Sequence, residues 1–167
     1  VHDMDHAQFD TRMAQVDCVT YIVDNAFSEL WYDLLFTDQL LALGKKVRLV
    51  VKAYPMLVSD ATEHDIAQLL QWAESEEGTS FTQGVAQRLK GHIRTSNLTV
   101  EAWPELNAPL HFTSEHFRRR LDGSDLFVLK GDANYRRVFE DRDWSPTTPI
   151  TQAGCPFIAP ALFLRIL

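Results

Sequence analysis

Short, almost wholly apolar runs alternate along this chain with longer stretches of helical periodicity. Residues 18–23 (CVTYIV) are apolar and rich in β-branched side chains, which predicts a buried strand. Over 26–43 the apolar residues Leu30, Trp31, Leu34, Leu35, Phe36 and Leu40 recur at helical spacing, and Gly44 supplies a stop. Further strands are predicted over 47–51, 98–102, 126–130 and 162–167. Further helices are predicted over 62–76, 81–95 and 114–121. Thr62 and Asp65 are spaced as a variant capping box for the first of these. The stretches 103–113 and 145–160, rich in Pro and polar residues, predict loops. Apolar strands alternating with helices predict an α/β fold: a mainly parallel sheet covered on both faces, a three-layer α/β/α sandwich.

In open α/β sheets, ligands bind beyond the carboxyl ends of the strands. The first strand ends at Asp24-Asn25, and the second runs into Lys52 and a loop that reaches Asp60. The fourth ends at Lys130-Gly131-Asp132, followed by Asn134, Tyr135 and Arg136. Asp24, Asn25 and Asp60 offer only oxygen, the donor set of hard divalent ions such as Mg²⁺ and Mn²⁺. No histidine stands beside them, which argues against zinc. Such an ion flanked by Lys52, Lys130 and Arg136 suits a phosphate ester, where charge builds on the phosphoryl group. Plainer readings stand beside this one. Asp24 or Asn25 is equally suited to cap the following helix, and Asp60 to form a cap or Asx-turn. Asp132 could cap a helix, with Arg136 a solvated surface charge.

The 167 residues amount to one domain of ordinary composition, 46% hydrophobic and 23% charged. A formal net charge of −7 argues against nucleic acid and against an anionic membrane surface, but leaves a small phosphorylated metabolite open. Cys18 and Cys155 form neither a zinc motif nor a disulfide framework. A reducing compartment is therefore expected, the cytoplasm first and the nucleus second. The sequence has no GxGxxG and no Walker A motif, and its histidines are scattered. Residues 1–17 read as the tail of a helical region and 18–167 as the α/β domain, with its last strand cut short. Oligomeric state is not legible.

Three segments, YIVDNAFSELWYDLLFTDQLL, VKAYPMLVSDATEHDI and LFVLKGDANYRRVFEDRDW, occur in an order that resembles the damage-control phosphatase family. The nearest branch is that of sugar-phosphate phosphatases, also described as acidic-residue methyltransferases. The resemblance implies an α/β/α domain that binds a divalent metal: Mn²⁺ first, with Mg²⁺, Co²⁺ or Ni²⁺ as alternatives. It places Asp24, Asn25 and Asp60 on that metal, with Asp24 and Asp60 acting catalytically through it. It places Asp132, Asn134, Tyr135 and Arg136 on the substrate, with Lys52 and Lys130 as further cations. Fructose 1-phosphate and fructose 6-phosphate are the implied substrates. This chain departs from the family pattern in two residues: Phe27 stands where the family has glycine, and Ile166 where it has the threonine of an Arg-Thr-x-Lys motif. The lysine of that motif would follow Leu167. Phe27 and the missing lysine keep a second reading open, a truncated or degenerate non-catalytic member that binds metal or sugar phosphate. Carboxyl methylation from S-adenosylmethionine is a third.

Overall fold

In the computed structural model the predicted strands assemble into one sheet. The structure describes residues 6–107, 120, 123–139, 142–149, 152–153 and 160–164. The strands are β1 (Cys18–Ile22), β2 (Lys46–Lys52), β3 (Leu98–Trp103), β4 (Leu126–Lys130) and β5 (Ala161–Leu164). All neighbours pair in parallel, in the order β3-β2-β1-β4-β5. The helices are α1 (His6–Ala14), α2 (Phe27–Ala42), α3 (Glu63–Glu74), α4 (Ser80–Arg94) and α5 (Asp132–Phe139). The predicted helix over 114–121 and the last residues of the predicted fifth strand lie outside the described residues. The α5 helix was not predicted as an element; the sequence reading allowed only that Asp132 could cap a helix. A 3-10 turn, Pro104–Asn107, follows β3.

The alternation of strand side chains builds two cores. Val19, Tyr21, Leu49, Val51, Leu98 and Val128 face one side and pack under α2, α3 and α4. Ile22, Val50, Phe127 and Leu129 face the other, against Leu106, Val138 and Phe139. Both faces are dry, which is why these strands read as continuous apolar runs rather than alternating ones. The α3 helix opens as its sequence predicts. The Thr62 backbone N–H and hydroxyl both donate to Asp65 Oδ2, at 2.8 and 2.6 Å. Thr79 accepts from the Thr82 N–H at the start of α4.

The strand order has a consequence for function. The chain builds β1, β2 and β3 outward in one direction, then crosses back to lay β4 on the other side of β1. The crevice above β1 and β4 is therefore a topological switch point, the place where open α/β sheets bind ligands. Among the described residues no helix is long and apolar enough to cross a membrane.

The α2 helix begins under strain. Phe27 has φ of 61°, in the left-handed region, and its side chain is 68% exposed. Only glycine enters that region without steric cost. Phe27→Gly should relieve the strain and leave the packing intact. The expected gain is about 0.5–1 kcal/mol after the entropy that glycine costs, read from the midpoint of urea unfolding.

Candidate functional site

The three strand ends named above meet at the switch point. Asp24 and Asn25 follow β1, and their backbone docks on the loop after β2. The Ala61 N–H donates to the Asp24 carbonyl at 3.0 Å, the Ala26 N–H to the Ser59 carbonyl at 2.7 Å, and Asn25 and Asp60 form an antiparallel bridge. Neither Asp24 nor Asn25 caps α2. Its N-cap position is Ala26, with no side-chain bond. Asp60 is no helix cap either, since Thr62 fills that role for α3. Asp60 Oδ2 instead accepts the Met56 and Leu57 N–H groups, at 2.9 and 2.8 Å, and so folds the loop back on itself.

The remaining oxygen of Asp60 and one oxygen of Asp24 converge on a single cation. The Lys52 ammonium lies 2.5 Å from Asp60 Oδ1 and 2.7 Å from Asp24 Oδ1. It also donates to the Asp24 carbonyl at 3.2 Å. All three residues are buried, Lys52 with only 1% exposure. Burial works against the Asp60 carboxylate, but Lys52 and the Leu57 and Met56 amides together hold its pKa below the usual value.

Asn25 is fixed from both ends. Its Nδ2 donates to Glu29 Oε2 at 3.0 Å, and its Oδ1 accepts from the Ser59 hydroxyl at 2.9 Å. Glu29 in turn pairs with Lys130 at 3.0 Å, and Lys130 pairs with Asp33 at 2.7 Å. The Tyr21 hydroxyl donates to the same Asp33 oxygen at 2.5 Å. Burial pushes the Asp33 pKa up despite Lys130 and Tyr21. Burial and the Asp33 charge raise that of Tyr21.

After β4, Gly131 has φ of 87°, and a Cβ there would overlap the Asp24 carboxylate. Only glycine lets the β4 end pass so close to that carboxylate. Asn134, fully buried, donates from Nδ2 to the Val23 carbonyl at 3.2 Å and the Lys130 carbonyl at 2.8 Å. It thus ties the β1 and β4 ends together.

The expected substrate residues therefore divide. Asp132 and Arg136 are exposed on α5, while the half-buried Tyr135 ring packs against Phe139 and Phe163 at centroid distances of 4.4 and 5.8 Å. Lys52, Lys130 and Asn134 were also expected at the substrate. The first two spend their ammonium groups on carboxylates, and Asn134 spends its amide on backbone and on Arg137. Lys52 and Asn134 are buried and Lys130 is partly exposed, and through these partners all three tie the strand ends together.

Three residues escaped the sequence reading. Glu29 carried a signal in its i, i+4 spacing from Asn25. Gly131 carried one as a glycine between a strand and a helix. Arg137 carried none beyond its place three residues after Asn134, whose Oδ1 accepts from its Nη1 at 3.0 Å. Arg137 is buried. Burial lowers its pKa while the Asp24 and Asp60 charges raise it, so its positive charge acts on the same carboxylates.

The donor chemistry fits a hard divalent ion. Two carboxylates already converge on one cation, and an amide residue is bridged to one of them. Among the described residues no group of three or more His, Cys, Asp and Glu side chains forms a metal-holding cluster, and the Asn25 amide is turned to Glu29 and Ser59.

A parallel sheet with a buried acidic pair beside its switch point defines the α/β class of this domain. The comparisons with known proteins make the class specific. The model of the damage-control phosphatase ARMT1-like domain matches residues 1–167, and the chain belongs to that family. It is 30% identical over 157 residues to damage-control phosphatase ARMT1 of Xenopus laevis, covering 89% of this chain and 36% of the relative. It is 31% identical over 157 residues to the protein of that name from Danio rerio, covering 89% and 35%. The chain thus spans about a third of the length of these curated relatives. A crystal structure of a DUF89 family protein from Pyrococcus horikoshii shares the fold. Its TM-score is 0.52 at 18% identity, over 83% of this chain and 41% of that one.

Two predictions follow from the geometry. Gly131→Ala forces a methyl group onto Asp24 and a non-glycine residue into the left-handed region. It should cost about 2 kcal/mol or more, seen as a lowered thermal midpoint in chelator-treated protein. Asp60 contributes stability that is fully present above its unfolded pKa and lost as pH falls through its depressed folded value. The stability difference between wild type and Asp60→Asn should therefore be constant from neutral pH down to about pH 4 and shrink below it. Urea titrations between pH 7 and pH 2.5 measure it.

Proposed function

We propose that this chain is the catalytic α/β part of a metal-dependent phosphatase acting on small sugar phosphates, with fructose 1-phosphate and fructose 6-phosphate as substrates. The observation that carries this reading is the convergence of Asp24 and Asp60 on one cation at the switch point. Membership of the damage-control phosphatase family supports phosphoester hydrolysis as the reaction.

Asp24, Asp60 and Asn25 would hold the divalent ion, Mn²⁺ first among candidates. Once bound, such an ion polarises a phosphoryl oxygen and lowers the pKa of a water to make a nucleophile. The chain's own residues do the rest. The two buried carboxylates concentrate negative charge where the cation sits. Glu29 and Ser59 orient the Asn25 amide. Arg136, exposed on α5, offers a guanidinium to the phosphoryl oxygens, a planar fork suited to that shape. Asp132 accepts hydrogen bonds from sugar hydroxyls and Tyr135 supplies a flat, half-buried surface beside them. Gly131 and Asn134 fix how closely this helix approaches Asp24. Cytoplasmic function fits such a substrate.

Phe27 sustains the second reading, a member that binds without turnover, because it departs from the family's glycine. One experiment separates the two. Wild type, Asp24→Ala and Arg136→Ala are assayed for phosphate release from fructose 1-phosphate with Mn²⁺. The phosphatase reading expects turnover by wild type and a loss of about 10²-fold or more for Asp24→Ala. Arg136→Ala should weaken KM, kcat or both. Full activity in Asp24→Ala would refute the assignment. Calorimetric binding of Mn²⁺ and sugar phosphate with no turnover would establish the non-catalytic reading.

A further inference from the structure

The Lys52 ammonium is the most deeply buried cation of the site and occupies the point where the two carboxylates converge. Asp60 has little else to give. Its Oδ2 is taken by two backbone N–H groups, so Oδ1 is the oxygen it can offer a ligand, and Oδ1 lies against Lys52. Asp24 is similarly confined. Its Oδ1 faces Lys52, and Gly131 passes against its other oxygen. The lone pairs that would coordinate a divalent ion are those already turned toward an ammonium group. A doubly charged ion sharing them would be strongly repelled by that ammonium at such short range. Lysine is also the cation built to yield. Its charge is compact and sits on a flexible four-carbon stem.

We propose that Lys52 is the resident cation of this site. It keeps Asp24 and Asp60 paired when no divalent ion is bound, and a divalent ion enters by exchange against it. The metal-free protein then stays folded, and Lys52 sets how tightly metal is held. This inference rests on the reading of Asp24 and Asp60 as metal ligands.

The test uses Lys52→Met, which keeps the volume without the charge, and Lys52→Gln, which keeps hydrogen-bond donors without the charge. Thermal midpoints are measured in chelator and in Mn²⁺, and Mn²⁺ affinity is measured by calorimetry. In chelator, Lys52→Met should melt about 10 °C below wild type, because two buried carboxylates lose their partner. Lys52→Gln should fall less and carries the test if Lys52→Met does not fold. Both variants should bind Mn²⁺ at least about tenfold more tightly than wild type, and Mn²⁺ should raise their midpoints more than that of wild type.

If wild type binds Mn²⁺ and the variants bind it equally or more weakly, exchange is refuted while the metal reading stands. If neither wild type nor variants bind Mn²⁺, the ligand assignment fails and the exchange proposal fails with it. An unchanged midpoint of Lys52→Met in chelator also overturns the proposal, since no counter-charge was lost.

Discussion

Two carboxylates held out of water within reach of one ammonium group are the constraint around which this site is built. Burying a charge is costly unless it is paired and hydrogen-bonded, and the cost rises when two like charges face each other. Asp24, Asp60 and Lys52 meet that condition together, and removing any one leaves the others exposed to it. Stability alone does not call for such a triad. Apolar residues of similar volume would hold the strand ends as well or better. Its position at the one place where the sheet reverses its winding is where α/β folds put their chemistry.

The surrounding polar groups extend the same logic outward. Glu29 and Lys130 link Asn25 to Asp33 and Tyr21, so the start of α2 is tied to the end of β4 by charge as well as by packing. Asp33 carries the strain of this arrangement. Its Oδ2 is buried without a partner among the described residues, and burial raises its pKa. Arg137 is the counterpart on the other face. Its Nη2 donates to the Leu106 carbonyl at 2.5 Å and its Nη1 to Asn134, while its Nε has no partner among the described residues. The positive charge of Arg137 thus backs the acidic pair from behind the β1 and β4 ends.

The sequence made the strands legible for a simple reason. Residues such as Val19, Leu49, Val50 and Leu129 are apolar on both strand faces because both faces are covered. The convergence of Asp24 with Asp60 was also legible, since one β-α-β unit places both beyond neighbouring strand ends. What the sequence could not show was how each polar side chain divides its hydrogen bonds. Lys52, Lys130 and Asn134 looked like substrate contacts because they sit at strand ends. In the structure all three are engaged with protein partners, Lys52 and Asn134 buried and Lys130 partly exposed, and such engagement depends on which chain segments pass overhead. Arg137 was missed because adjacent arginines on one helix differ only in the face they present. The α2 start shows the converse case. Asp24 and Asn25 are favoured cap residues by type, yet their oxygens go to Lys52 and Ser59, and the cap position falls to Ala26.

Phe27 sharpens what the site requires. A glycine at this position would be explained either by backbone conformation or by room for a ligand. The left-handed φ of Phe27 shows that conformation is a requirement here, met even by a residue that pays for it in strain. At 68% exposure, most of the bulk of Phe27 lies in solvent. The substitution therefore burdens the entry to α2 and leaves the Asp24–Lys52–Asp60 arrangement intact. Lost turnover with metal affinity unchanged is what the non-catalytic reading expects of Phe27, and kcat of Phe27→Gly against that of wild type measures it.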